Sequence, residues 1–188
     1  MNQLLLDFPT MFQTKRLLVR KPFPGDGAEV YEAVRASITD LEPWVPFVNS
    51  VSSEEQAEAN VREAHAKFLL REELGFHIYH REEGFFIGAL TMHPTNWNIP
   101  KFELSFWLHS AHQGQGYITE ALAGATNFAF EKLNAKRVEI RCDAANEAAR
   151  KTAERIDFSL EGILRNDRIS LSGNELRDTC VYAKVKKT

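Results

Sequence analysis

Gly114 and Gly116, one residue apart, carry the clearest chemical signal in this sequence. They lie in residues 111–123 (AHQGQGYITEALA), after an alternating run at 102–108 (FELSFWL) and before a helix pattern reaching about Leu133. Glycine at such a junction admits backbone angles closed to other residues and lets the chain approach a ligand. The first amides of the helix have no intrahelical partners and carry the positive end of its dipole. A phosphate or diphosphate is the natural occupant of such a place. Two phosphate-loop patterns fail on spacing. GxGxxG would need a glycine where Thr119 stands, and GxxxxGK[ST] would need a Lys-Ser or Lys-Thr pair that follows neither glycine. A helix entry merely softened by glycine, with no ligand, is the competing reading, and the spacing leaves both open.

Other reactive side chains are sparse. Cys142 and Cys180 are too few for a disulfide framework or a metal set, and each lies in an apolar, strand-like run, as buried free thiols do. His109 and His112 flank the loop without acidic or cysteine partners at ligand spacing, so no metal is expected. His65, His77, His80 and His93 are scattered and read as structural or exposed. Trp44 and Phe47, in LEPWVPFV at 41–48, stand between prolines that forbid regular helix. They read either as a pinned loop over the core or as one wall of a cleft.

The elements that must position these groups follow from periodicity. A strand is expected at 14–21, closed by Pro22-Phe-Pro24-Gly25, with Asp26 capping a helix over 27–36. Ser52 or Ser53 caps a longer helix at about 54–73. Three antiparallel strands at 75–80, 85–92 and 102–108 form a meander, with Asn96-Trp97-Asn98 in its second loop. A helix follows at 119–133, then a strand at 136–142, a helix at 146–155 capped by Asn146, and a hairpin of 160–170 with 176–184. The fold class is α/β (α+β), with a mixed sheet in one domain spanning the 188 residues.

Composition narrows the function. With 44% hydrophobic and 26% charged residues, the chain has the balance of a soluble globular protein. A net charge of −3 argues against general binding to nucleic acid or an anionic membrane. Residues 132–155 nonetheless hold seven lysines and arginines against four acids, a local surplus suited to a small polyanion. The opening MNQLLLDFPTMF lacks the features of a signal peptide, and no apolar run of about 18 residues is present to span a membrane. A cytoplasmic location is expected.

Gln113-Gly-Gln-Gly116-Tyr-Ile118 resembles the Q/R-x-x-G-x-G/A acetyl-coenzyme A loop of the GNAT N-acetyltransferase superfamily, with Ile118 in place of the usual Gly or Ala. The wider HQGQGYITEAL is most similar to the branch of the ribosomal-protein N-terminal acetyltransferases (RimJ/RimL-like). A second block, from Asn146 through Ala149 and Glu154 to Phe158, resembles the family's N-x-x-[SA]-x-x-x-x-E-K-x-G-F, with Arg155 for Lys and Asp157 for Gly. Phe86-Ile-Gly88 resembles the "xIG" of the family's third strand, and TKRLLVRK its opening. The resemblance covers about residues 14–185.

It implies a mostly antiparallel sheet of about seven strands, flanked by helices and splayed at the acetyl-coenzyme A site. The diphosphate would lie on the amides of Gln113, Gly114, Gln115, Gly116, Tyr117, Ile118 and Thr119. The pantetheine would pair with the backbone of Trp107 and Leu108, touch Asn146, and place phosphate within reach of Arg150. Glu103 stands where some members place a general base, with His109 or a water chain as alternatives. The residues that often supply a general acid, Ser or Tyr, are Ala149 and Ala153 here, and coenzyme A thiol, with a pKa near that of free cysteine at about 8.5, can leave without one. Trp44, Phe47 and Trp97 would face the acceptor. The acceptor implied is a protein N-terminal amine, with a small amine, polyamine or antibiotic as the alternative; a non-catalytic acyl-coenzyme A sensor and a nucleotide-binding module are the rivals. A homodimer would suit the family.

Overall fold

The computed structural model describes residues 2–186. Its strands are β1 (Met11–Gln13), β2 (Leu17–Arg20), β3 (Leu74–His80), β4 (Phe86–Asn96), β5 (Lys101–Leu108), β6 (Arg137–Asp143), β7 (Ser159–Ile169) and β8 (Leu176–Val185). The helices are α1 (Gly27–Leu41), α2 (Glu54–Leu70), α3 (Tyr117–Lys132) and α4 (Glu147–Arg155). One eight-stranded sheet runs in the order β1-β2-β3-β4-β5-β6-β8-β7, and every pairing is antiparallel except β5 with β6. The extra strand beyond the expected seven is β1, too short to announce itself by alternation.

Periodicity placed the elements well, and most differences lie at their ends. Helix α2 stops at Leu70, before the expected Glu73, because Arg71 turns left-handed at φ 61° and its N–H closes back on the last carbonyls. Ser53 caps the start, its hydroxyl accepting from Gln56 N–H at 3.1 Å. Strand β4 runs past Met92 to Asn96, with Pro94 still opposite Phe102 and Thr95 the extra residue at the register shift before Asn96 pairs with Lys101. Asp26 does not cap α1 through its side chain. Its carboxylate is taken by Arg20 (2.8 Å to each oxygen), by His77 Nδ1 at 2.9 Å and by the Phe23 N–H at 2.9 Å. Burial opposes the charge, but the bonds from Arg20, His77 and Phe23 outweigh it and hold the carboxyl well below its usual range.

Two apolar layers cover the sheet. On one face α3 lays Ala121, Leu122, Ala125, Phe128 and Ala129 against Phe76, Phe102 and Leu104. Leu122 is fully buried, which contributes about 2 kcal/mol over exposure. On the other face α1 and α2 bring Val30, Val34, Ala57 and Val61 down on Tyr79, Phe86 and Trp107. Cys142 and Cys180 pair across β6 and β8 as buried free thiols, and burial pushes Cys142 up to about 11.

The feature that positions the site is the β5–β6 ladder. It holds only from Lys101–Arg137 to Leu104–Ile140. Beyond that, β5 continues to Leu108 bound only to β4, while β6 continues to Asp143 bound only to β8. The sheet opens into a wedge from Ser105 onward, and backbone groups on its inner edges are left for something else to pair with.

Candidate active site

A cleft of about 1340 Å³ follows the wedge and reaches the start of α3. Gly114 (φ 73°) and Gly116 (φ 79°) both adopt left-handed conformations. Gly116 is the N-cap residue of α3 and brings no side chain to it, so the leading amides, from Tyr117 on, face the cleft unclaimed. Gln113, Gly114, Gly116, Tyr117, Ile118 and Thr119 line this end; Gln115 turns away, its side chain donating to the Ala111 carbonyl at 3.3 Å. The arrangement is a concave set of donors at a helix N-terminus, suited to a diphosphate.

Sequence reading missed what holds this loop in place. The turn between β1 and β2 clasps it, with Glu120 accepting from Thr14 Oγ1 at 2.6 Å, Arg16 N–H at 2.7 Å and Arg16 Nε at 2.7 Å. Arg16 also donates to the Gln115 carbonyl at 3.0 Å and lies 4.4 Å over the Tyr117 ring. Burial works against the Glu120 charge, yet the bonds from Thr14 and Arg16 hold its carboxyl below the ordinary range. These groups lie about a hundred residues apart in the chain, and no local pattern links them. Gln113 is tied to the opposite wall, its amide donating to Asp40 at 3.0 Å.

Along the wedge the cleft is walled by Phe106, Trp107 and Leu108 of β5 and by Asn146 and Ala149 of α4. Asn146 caps α4, Oδ1 accepting from the Ala149 N–H at 3.1 Å, which leaves its NH2 group free to donate elsewhere. Arg150 does not reach the cleft wall. It points toward β8, bonded to the Ala144 carbonyl at 3.2 Å and the Tyr182 hydroxyl at 3.4 Å. The cations that do line the cleft are Lys151 and Arg155, one turn apart on α4, and Lys184 of β8. A helix turns about 100° per residue, so moving from Arg150 to Lys151 changes the face. Gly88 is forced by this part of the fold, because a Cβ there would lie 2.3 Å from the Trp107 carbonyl oxygen.

The cleft meets two further hollows at Trp44, Val45 and Phe106. These three residues line the cofactor-sized cleft and also two smaller hollows, of about 470 and 570 Å³. One hollow extends toward β6 and the β7–β8 hairpin, the other toward α2, β3 and β4. Phe47 packs on Trp107 at 5.6 Å between ring centres. Trp97 is placed elsewhere: it donates to the Arg71 carbonyl at 3.2 Å and packs edge-on against Phe102, away from all three cavities. Glu103 sits one pair before the ladder ends, opposite Glu139 on one side and His93 on the other. His109 is engaged in its own turn, Nδ1 accepting from the Ala111 N–H at 3.1 Å. His112 stacks on Phe85 at 4.7 Å, and burial, then His109, lower its pKa. Among the described residues no group of three His, Cys, Asp or Glu could hold a metal ion, and no helix is long and apolar enough to cross a membrane.

Comparison with known proteins is consistent with this geometry. The family described as Acetyltransferase (GNAT) domain matches residues 16–159. A Bacillus subtilis protein provisionally named ribosomal N-acetyltransferase YdaF is 31% identical over 105 residues, 56% of each chain. The ribosomal-protein-serine acetyltransferase of Escherichia coli is 30% identical over 83 residues, 44% of this chain and 45% of that one. The matches thus span about half the length of these two relatives. In fold, the chain superposes on the microcin C7 self-immunity acetyltransferase MccE, solved with acetyl-coenzyme A and AMP, with a TM-score of 0.85 at 20% identity over 92% of this chain and 94% of that one. For RimL, the ribosomal L7/L12 α-N-protein acetyltransferase solved with coenzyme A, the values are 0.82 and 19% over 95% and 97%.

Proposed function

The chain belongs to the GNAT acetyltransferase family; on that premise we propose that it takes acetyl-coenzyme A as co-substrate, and that its acceptor is the α-amine of a protein N-terminus, the group for which the similarly folded RimL is named and in keeping with the ribosomal-protein acetyltransferases it matches in sequence. The observation that carries this reading is the shape of the acceptor side. Two hollows open in different directions from Trp44, Val45 and Phe106, which gives a chain trailing behind the amine a way out of the site. A small amine needs only an enclosed cup.

The roles divide accordingly. The amides of 113–119 hold the diphosphate, and Lys151 and Arg155 are the α4 cations that line the same cleft. The free edge of β5 at Trp107 and Leu108 pairs with the pantetheine arm, and a backbone amide there polarises the thioester carbonyl. Asn146 donates its NH2 group to the same arm. Ala149, which lines the cleft, and Ala153, which is fully buried, end in methyl groups with no proton to give the departing sulfur. Tyr117 is buried at the phosphate end beside Arg16 and does not serve as that acid. A thiol of this acidity leaves as thiolate without one.

The test is calorimetric titration with acetyl-coenzyme A, coenzyme A, ATP and NAD, followed by thiol release with peptides bearing free N-terminal Ser or Ala, polyamines and an aminoglycoside. Binding of the coenzyme A pair alone, with release on the peptides, supports the reading. Release only on small amines replaces the acceptor, and tight binding with no release on any amine makes the chain an acyl-coenzyme A sensor.

A further inference from the structure

We propose that the acceptor amine loses its proton to His93 through the hydroxyl of Ser105, with Glu73 orienting the imidazole. This rests on the amine-acetylation reading above and adds to it the group that makes the nitrogen nucleophilic.

Ser105 is the first residue of β5 beyond the last β5–β6 pair, at the mouth of the wedge. It shares a sheet face with Trp107 and lines both acceptor hollows. An amine reaching the wedge from either hollow therefore passes its hydroxyl. His93 lies diagonally across on β4, and its Nε2 is 2.8 Å from Ser105 Oγ. On the other side of the ring, Nδ1 is 3.8 Å from Glu73 Oε1, within ion-pair reach. Glu73 is in turn held by Lys67 of α2, whose Nζ is 3.5 Å from Oε2 and 3.0 Å from Glu63. A carboxylate beside Nδ1 favours the tautomer with its proton there, which leaves Nε2 as the acceptor for the Ser105 O–H. The charged and titratable groups around the imidazole are Glu73, Lys67 and Glu63 from the α2 side, Glu103 beside it on β5, and His77 in the same hollow.

The step balances simply. The ammonium of the acceptor gives a proton to Ser105 Oγ while the hydroxyl passes its own to His93 Nε2. The neutral nitrogen then attacks the thioester carbon, forming C–N and breaking C–S, and the bonding pair leaves on sulfur. The nitrogen's second proton goes to solvent or to the thiolate, and the imidazolium returns its proton to solvent. This placement also gives Glu103 a part as a flanking charge, two residues deeper on β5 than the hydroxyl that meets the amine.

The experiment compares wild type, His93→Gln, His93→Ala, Ser105→Ala and Glu73→Gln, using whichever peptide or amine of the panel the wild type acetylates best. We expect kcat to fall about 100-fold in His93→Gln, the scale of a lost general base, with KM and acetyl-coenzyme A affinity unchanged. The acid-side fall of the wild-type kcat/KM profile should vanish in that variant, and added imidazole should restore part of the rate to His93→Ala. Ser105→Ala should follow His93→Gln, and Glu73→Gln should lose less, about tenfold, with a displaced acid limb. Wild-type rates and an unaltered profile in both His93 variants would overturn the assignment while leaving the acetyltransferase reading intact. No acetylation of any amine by the wild type would overturn the acceptor reading and this assignment with it.

Discussion

On the function proposed above, the two ends of the cleft, one for the diphosphate and one for the acceptor, are built on different principles. The phosphate end is one stretch of seven residues, and its working groups are backbone amides presented by two left-handed glycines. The acceptor end draws on the α1–α2 connection, β4, β5 and the end of α2, and its working groups are side chains. Backbone chemistry is local, so it leaves a pattern that spacing alone can expose. Side-chain chemistry assembled across a sheet leaves none until register is known. His93 and Ser105 meet because the irregularity at Pro94/Asn96 sets His93 against Glu103, and a slip of one residue would send them to opposite faces.

The sharpest way to break this contrast is to remove a side chain from the acceptor side's foundation. Asp26→Asn strips the partner of Arg20 and His77 beneath α1, and should cost about 3 kcal/mol, lowering Tm by about 6–12 °C in thermal unfolding. The native carboxyl is held below its unfolded value of about 3.9, so its contribution is present above that pH and is lost as pH falls through the native pKa. The gap between wild type and variant should therefore close in acid. Next comes the backbone end. Gly116→Val places a β-branched residue at φ 79° and should weaken acetyl-coenzyme A binding about 100-fold by calorimetry, with helix content by circular dichroism unchanged. Trp44→Ala, at the junction of the three cavities, should raise KM for the acceptor peptide about tenfold and leave the cofactor Kd alone. The smallest effect separates two neighbouring cations: Arg155→Ala should weaken coenzyme A binding about threefold, whereas Arg150→Ala should not alter it. A larger effect at Arg150 would mean that α4 rotates on binding.

Legibility in the sequence followed the same division. Helix stripes such as Ala121, Leu122, Ala125 and Phe128 could be read because burial repeats with the helical period. Asp157, which stands where the resembled family has Gly, is left-handed at φ 60°, a conformation Asp tolerates better than most residues. Gly116 and Asn146, one from each signature, line the same cleft, and both are fixed by local chain geometry at a helix start. Asp26 misled because a capping residue type next to a helix start looks the same whether its carboxylate serves the helix or a distant arginine. Arg150 misled because one residue along a helix decides which way a cation points. The Arg16–Glu120 clasp and the His93–Ser105 bond were invisible, since both depend on which strands become neighbours.

The ladder that ends at Leu104–Ile140 has a consequence for the mechanics of the whole molecule. Among the described residues, four paired positions are the only strand contact between the β1–β5 leaf and the β6–β8 leaf, so the free protein is a book held by a short spine and by the helices across it. A pantetheine arm lying along the open edge would act as a missing strand and stitch the leaves together. Deuterium uptake at 105–108 should then be fast in the free protein and slow with coenzyme A bound, so that each catalytic cycle takes a strand out of the sheet and puts one back.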